Sequence, residues 1–567
     1  MPSEGTLRVL LVASAFNSLT QRVHVELRER GHHVGVELAL GDEALRAGAA
    51  RFRPDLIVAP MLTRTVPEDV WRTYPVLIVH PGPAGDRGPS SLDWAIHDGA
   101  AEWGVTVLQA VAELDAGPVW ASVPFPLRAG GKSEVYRNEV ADAAVEAVLQ
   151  AVERFAGGWY APDLAAGRIG RERPYHAQEF RRIDWAVDTT ATVLRKLRAA
   201  DSQPGVLDEL YGRAYYLHGG CAEDRLRGRP GELIASRDGA VCRATVDGAV
   251  WIPQLRPRRT PGGPATYKLP AATVLGPQLT LAGVPEVPVT PQEAAGRETW
   301  SEIRYREHGE VGHLEFAFPG GAMSTAQCRR LLRAYRAAVA RPVRVLVLGP
   351  SRDFFSNGIH LNVIEAAADP AAESWANINA MDDLVEAVLT TTDTYVVSAL
   401  AGNAAAGGLM LALAADEVWC RASAVLNPHY RLMGLYGSEY WTYTLPRRVG
   451  TDQAARLTTA ALPIGAREAL AIGLADRVAG GDSTGFRRWV DHEAEQLARS
   501  GELEDWLVEK KRRRGADEAA KPLAAYRAEE LAHMRHNFLA PEEPYHALRR
   551  AFVHKTCPTE TPAHIRG

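Results

Sequence analysis

Three groups of residues in this chain have the types and spacing to do chemistry. The first is His80, at the end of the apolar run VLIVHPG (residues 76–82), with Asp115 following in LDAG. A His and an Asp at strand ends can work as a general acid/base pair, the carboxylate orienting the imidazole or relaying protons through water. The second is FFSNGIHL (354–361) followed by AGNAAAGGLML (401–411). Gly358 permits a turn that aims the Ile359 N–H into a cavity, and Gly407 opens a helix whose first N–H groups favour an oxyanion. The third is NPHYRLMGLYGSEYW (427–441), where Tyr430 and Glu439 are candidates for proton chemistry. Each has a plainer reading: a His after a strand also caps loops, glycine pairs also serve tight strand–helix packing, and tyrosines anchor surface loops.

The elements that must position these residues follow from hydrophobic periodicity. RVLLVAS, VGVEL, DLIVAP, VLIVH and VTVLQA read as buried parallel strands separated by helical patterns, an open α/β sheet. Between the first two, Ser18 and Gln21 have capping-box spacing and Gly31 is a C-terminal stop. The C-terminal edge of such a sheet is where ligands bind, and His80 falls on it. Residues 176–285 change to short alternating runs with Asp238-Gly239 and Asp247-Gly248 turn signals, a small β-barrel of OB-like type. Residues 286–299 read as a Pro/Glu-rich linker. Residues 300–567 start with a hairpin pattern and a helix capped by Ser324 and Gln327, and turn mostly helical after Thr451. The expected division is therefore 1–175, 176–285, 286–299 and 300–567.

At 567 residues the chain needs several cores, and its net charge of -5 gives no reason to expect nucleic acid or an anionic membrane. Five cysteines at 221, 242, 328, 420 and 557 have no C-x-x-C spacing, so neither zinc nor a disulfide framework is indicated and a reducing cytoplasm fits. The run VLLVASAF is too short to span a bilayer. His533 and His536 have metal-ligand spacing but no carboxylate partner, so no metal is expected. Lys510 to Arg514, flanked by acids, reads as a solvated face that can also meet anionic phosphates.

The blocks FRPDLIVAP (52–60), HPGPAGDRGPSSLDWAI (80–96) and GVTVLQAVAELDAG (104–117) resemble the formyltransferases that use 10-formyltetrahydrofolate, over roughly residues 5–150. The barrel-like segment resembles the C-terminal domain of methionyl-tRNA formyltransferase. The resemblance implies that His80 and Asp115 occupy the catalytic His and Asp positions, with Arg87, Gly88 and Gln109 near the folate. One position departs: the family pattern is Asn-x-His, and here Ile78 replaces the Asn. Loss of one oxyanion donor costs about two to three orders of magnitude in rate. An acceptor that is itself a strong nucleophile, such as the thiol of coenzyme A, would tolerate that loss.

Residues 300–560 resemble the crotonase (enoyl-CoA hydratase/isomerase) superfamily, which implies an oxyanion hole from the amides of Ile359 and Gly407, with Gly358 and Gly408 beside the CoA thioester. Met410 and Tyr430 stand where hydratases have their two glutamates, so hydration of a double bond is not expected. The two halves together resemble the HypX/HoxX family of [NiFe]-hydrogenase maturation factors. This implies a bifunctional enzyme, a formyltransferase plus a formyl-CoA decarbonylase. It would pass formyl from 10-formyltetrahydrofolate to CoA, release CO, and have hydrogenase assembly proteins as receivers. Two alternatives stay open: a formyltransferase for another small acceptor with an acyl-CoA-processing second domain, and a non-catalytic folate- and CoA-binding scaffold.

Overall fold

The structure, a computed structural model, describes residues 5–158, 160–162 and 171–567. The N-terminal unit is built on a six-stranded sheet of β1 (Arg8–Ala13), β2 (His33–Leu38), β3 (Leu56–Met61), β4 (Val76–His80), β5 (Glu102–Gln109) and β6 (Val119–Pro126), in the order β2-β1-β3-β4-β5-β6. Strands β1 to β4 run parallel. Val9 and Leu11 pack under the helices Ser18–Glu29 and Ala141–Gly157, while Leu10 and Val12 pack under Asp42–Phe52 on the other face. Burial on both faces is why these strands are continuous apolar runs rather than alternating ones. The sheet is open and doubly wound, as expected.

Two local expectations are corrected. VTVLQA lies in β5, which runs antiparallel to β4, with His80 opposite Thr106. An apolar run buried on both faces carries no signal of direction. The first helix is capped by Asn17, whose side chain accepts from the Thr20 N–H, not by Ser18, and Gln21 donates instead to the Phe16 carbonyl. The Gly31 stop holds, with φ of 87°.

The next unit forms no closed barrel. Its strands make two four-stranded antiparallel sheets around a core of Val193, Leu197, Leu217, Val250 and Ile252. The Asp238-Gly239 turn joins Leu233–Arg237 to Ala240–Ala244, with both turn residues at positive φ. Residues 286–299 are held against this unit by a capped helical turn, Pro291–Ala295, and by Arg297 reaching Glu223 and Asp224.

The C-terminal unit carries a six-stranded sheet in the order Ile303–His308, Val311–Phe316, Val345–Leu348, Tyr395–Leu400, Glu417–Arg421, Arg477–Ala479. A shorter sheet, Phe354–Ser356, Asn403–Ala405, Val425–Asn427 and Ile464–Gly465, stands beside it. The helix Thr325–Val339 has the Ser324/Gln327 capping box, and Gly407–Leu413 is buried along its whole length. No helix among the described residues is long and apolar enough to cross a membrane. The units are tied together by the Arg137–Asp353 and Arg421–Asp142 ion pairs, and the chain end returns to the first sheet, where Thr561 accepts from the Leu38 N–H and Ile565 enters the core.

Candidate active sites

The first site is built on the end of β4. The loop after His80 is drawn back over the sheet by three hydrogen bonds: Ser91 and Trp103 donate to the Pro81 carbonyl and Thr106 to the Gly82 carbonyl. That return brings Asp86 to His80, with Oδ2 at 3.1 Å from Nε2, while Asp115 Oδ2 lies 3.6 Å from Nδ1. His80 is only 5% exposed. Carboxylates accept only, so the closer contact assigns the ring proton to Nε2, donating to Asp86. The 3.6 Å contact is just beyond a hydrogen bond and sets Nδ1 and Asp115 side by side, where both can face one reacting group as an acid/base pair.

Asp115 has a left-handed backbone, φ 53°, and accepts from the Gly88 N–H at 3.3 Å. A non-glycine residue held there is a local strain of the kind that clusters at working sites. Gly117 lets LDAG turn under β5, since a Cβ there would meet the Gln109 carbonyl oxygen at 1.8 Å. Gly82 is equally constrained, as its Cβ would lie 2.5 Å from both His80 Nε2 and Asp86 Oδ2. Arg87 ion-pairs with Glu113, and Gln109 accepts from Trp120. Ile78, half-buried, packs with the apolar cluster of the second sheet face and offers no donor. Asp86 is the residue that reading the sequence missed. The signal was present in HPGPAGDRG, two glycines between a His and an Asp six residues on.

The second site lies where the turns at Gly358 and Gly407 meet. A Cβ on Gly358 would stand 3.2 Å from the Gly407 nitrogen, so the two turns touch, and Ile359 and Gly407 line one pocket of about 70 Å³. Its wall also contains His429, Tyr430, Met433 and Glu439. The Tyr430 hydroxyl donates to Glu439 Oε2 at 2.9 Å, and a Cβ on Gly407 would strike Glu439 Oε1 at 2.0 Å, so that oxygen lies directly against the Gly407 turn. Burial pushes the Glu439 carboxyl up to about 7. Burial, then the neighbouring Glu439, pushes the Tyr430 phenol well above its ordinary range. Tyr430 therefore remains a donor while Glu439 exchanges a proton near neutrality, the property a proton-transferring group needs.

Met410 points into the core and does not line this pocket; Gly408 packs against the Ser356 carbonyl behind it. Lys510 is engaged with Asp416 and the Thr394 carbonyl, and Arg512 and Arg514 with Glu509 and Glu518. His533 stacks on Tyr436 and His536 pairs with Glu543. Among the described residues no cluster of ligand side chains suits a metal.

The pocket adjoins a cavity of about 730 Å³, with Asn357, Ile359, Leu361, His429 and Met433 lining both. That cavity is walled by the N-terminal unit (Gln21, Tyr136, Arg137), by Gln254 and Lys268 of the middle unit, and by Phe552 and Lys555 of the last. Burial pushes the ammonium groups of Lys268 and Lys555 down. These cavity cations, far apart in sequence, are a second feature invisible without the fold.

Comparison with known proteins agrees with this architecture. Residues 37–152 match the formyl transferase family, 177–262 the formyl transferase C-terminal domain, and 320–538 the enoyl-CoA hydratase/isomerase family. The chain is 50% identical over 565 residues to the hydrogenase maturation factor HoxX of Bradyrhizobium diazoefficiens, covering 99% of this chain and 97% of that one. A crystal structure of HypX from Aquifex aeolicus in complex with tetrahydrofolic acid is 44% identical, with a TM-score of 0.95 over 99% of this chain and 98% of that one. Methionyl-tRNA formyltransferase of Pseudomonas fluorescens is 31% identical over 157 residues, 27% of this chain and 48% of its own. Formyltransferase and crotonase-like domains in one chain support an enzyme.

Proposed function

The chain belongs to the HoxX/HypX family of hydrogenase maturation factors, and from that premise we propose that it is a cytoplasmic enzyme that makes carbon monoxide in two steps. In the first, at His80, the formyl group leaves N10 of 10-formyltetrahydrofolate for the sulfur of CoA. The C–N bond breaks, a C–S bond forms, and the thiol proton passes to the folate nitrogen. The His80–Asp86 contact fixes the ring, and Nδ1 with Asp115 moves the proton. A thiol acceptor suits a site without the Asn donor, because the thiolate is a strong nucleophile.

In the second step the formyl thioester sits with its carbonyl at the Ile359 and Gly407 amides. Glu439, assisted by the Tyr430 hydroxyl, takes the proton from the formyl carbon as the C–S bond breaks. CO departs, the thiolate receives the proton, and CoA is regenerated. The observation that carries this reading is the cavity walled by all three units and sharing five lining residues with the Tyr430–Glu439 pocket. Its lysines fit the CoA phosphates, since a bound anion relieves the cost of burying a cation. The pantetheine arm would carry formyl through this space without leaving the molecule, and the CO would pass to hydrogenase assembly proteins.

The test is to supply 10-formyltetrahydrofolate and CoA to wild-type protein and to Glu439→Gln, following the formyl thioester by chromatography. Accumulation of formyl-CoA in the variant supports the order of steps. Absence of any formyl thioester from both proteins contradicts it.

A further inference from the structure

Glu439 is presented by an unusual turn. Glu439 and Tyr440 both have φ of 59°, two consecutive non-glycine residues in the left-handed region. Such a pair is strained and persists only where the surroundings over-determine it. Here the surroundings are two buried carboxylates from different helices. Asp382, on Pro370–Leu389, accepts from the Glu439 N–H at 2.9 Å. Glu530, on Leu523–Leu539, accepts from the Tyr440 and Thr442 N–H groups at 2.9 and 2.8 Å and from the Thr442 hydroxyl at 2.5 Å.

Between them stands one hydroxyl. Ser438 Oγ is 3.0 Å from Asp382 Oδ2 and 3.3 Å from Glu530 Oε2. It owns a single proton and cannot donate to both. Burial raises the Glu530 carboxyl too, but the donors facing both its oxygens work against that and leave it closer to its ionised form than Asp382. The consistent arrangement is a chain in which Asp382 Oδ2–H donates to Ser438 Oγ, and Ser438 donates to Glu530. The nearest cation, Arg527 Nε, is 3.7 Å from Asp382 and is shared with Asp383 and Glu386.

We propose that Asp382 and Glu530 are positioning residues of the thioester site: they clamp the left-handed turn that aims Glu439, Asp382 as a neutral acid and Glu530 as a carboxylate whose charge faces Glu439. The proposal rests on Glu439 serving as the proton acceptor described above. Burial raises Asp382 well above the usual carboxylate range, with the Glu439 charge adding to it, and the Glu530 charge raises Glu439 in turn. The other titratable groups around Glu439 are Tyr430 and His429 from the preceding segment and Cys328 from Thr325–Val339; Gly407–Leu413 contributes none.

The clamp makes the two acids respond differently. Asparagine mimics a neutral Asp382, accepting from Glu439 and donating to Ser438, so Asp382→Asn keeps the acid limb of CO release from supplied formyl-CoA at its wild-type pH. Glu530→Gln removes a charge, so its acid limb moves to lower pH by about one unit. Asp382→Ala loosens the turn and slows CO release about tenfold or more. Formyl transfer at His80 stays unchanged in every folded variant.

Infrared difference spectroscopy reads the carboxyls without any reaction. Asp382→Asn removes one protonated-carboxyl band at neutral pH and Glu530→Gln removes none. Where Glu530→Gln fails to fold, Ser438→Ala takes its place and shifts the Asp382 band by deleting its acceptor. Loss of no band in Asp382→Asn, or no shift in Ser438→Ala, overturns the proposal. Wild-type protein that releases no CO from formyl-CoA contradicts the functional reading, and the infrared result still decides the clamp.

Discussion

The Tyr430 hydroxyl donates to Glu439 Oε2 at 2.9 Å, and both side chains are buried in the wall of one small pocket. Tyr430→Phe removes the hydroxyl donor to Glu439 and leaves only the Ser438 N–H on Oε2, and Glu439→Gln leaves no base. Both are expected to lower CO release by about two to four orders of magnitude, the range of a lost general base, while formyl transfer to CoA proceeds. Gly407→Ala should resemble Glu439→Gln, because its methyl would occupy the position of Glu439 Oε1. Separate assays of formyl-CoA and CO on each variant check this.

At the other site, His80→Ala and Asp115→Asn should abolish formyl transfer. Asp86→Asn retains a side chain that can accept from Nε2 but loses the charge that orients the ring, and should cost about ten- to a hundredfold. In all three, CO release from supplied formyl-CoA stays at the wild-type rate. Loss of that second activity in Asp86→Asn would mean that Asp86 supports folding rather than transfer.

Crotonyl-CoA should not be hydrated, and Met410→Glu should not create a hydratase. Met410 is fully buried in the core, so a carboxylate there would be an unpaired buried charge. The expected outcome is destabilisation of several kcal/mol with no new activity, read by thermal unfolding and by loss of the enoyl absorbance.

The cavity lysines predict a binding defect rather than a chemical one. Lys268→Ala and Lys555→Ala should each raise KM for CoA about tenfold, weaken the salt dependence of CoA binding, and leave KM for the folate donor unchanged. Equal changes in both KM values would argue against phosphate recognition by these residues.

Two buried histidines should each cost stability in mild acid, against the opposing gain from buried carboxyls such as Glu439 and Glu302, raised to about 7. Burial lowers His24 to about 3 and His360 to about 4. Below about pH 6.5 the unfolded chain binds protons at these positions and the folded chain does not, so stability present above that pH is lost as pH falls toward about 4. Each group contributes about 1.4 kcal/mol per unit of separation at most. In denaturant unfolding between pH 7 and 5, His360→Gln should gain stability relative to wild type as pH falls; a difference that does not change with pH would contradict this.

Much of this was legible in the chain. VLIVH and RVLLVAS announced a doubly wound sheet, because strands buried on both faces must be apolar throughout. The two glycine motifs and the Tyr430/Glu439 loop were readable as neighbours only through family likeness, since over seventy residues separate Gly358 from Tyr430. What was not legible depended on the fold. The direction of β5 is set by pairing, which an apolar pattern does not encode. Asp86 reaches His80 only because a loop is pulled back by Ser91, Trp103 and Thr106. Asp382 and Glu530 lie on helices 148 positions apart, and Lys268 and Lys555 reach one cavity from different units. The basic run 510–514, conspicuous in sequence, is spent on ion pairs.

The most direct test follows the carbon itself. Purified protein receives 10-formyltetrahydrofolate labelled with ¹³C in the formyl group, with and without CoA, and the gas is captured on a haem protein and read by its infrared carbonyl stretch. Labelled CO that requires CoA and disappears in both His80→Ala and Glu439→Gln is the predicted result. Labelled CO formed equally without CoA, or labelled formate as the sole product, would contradict a thioester route through these two sites.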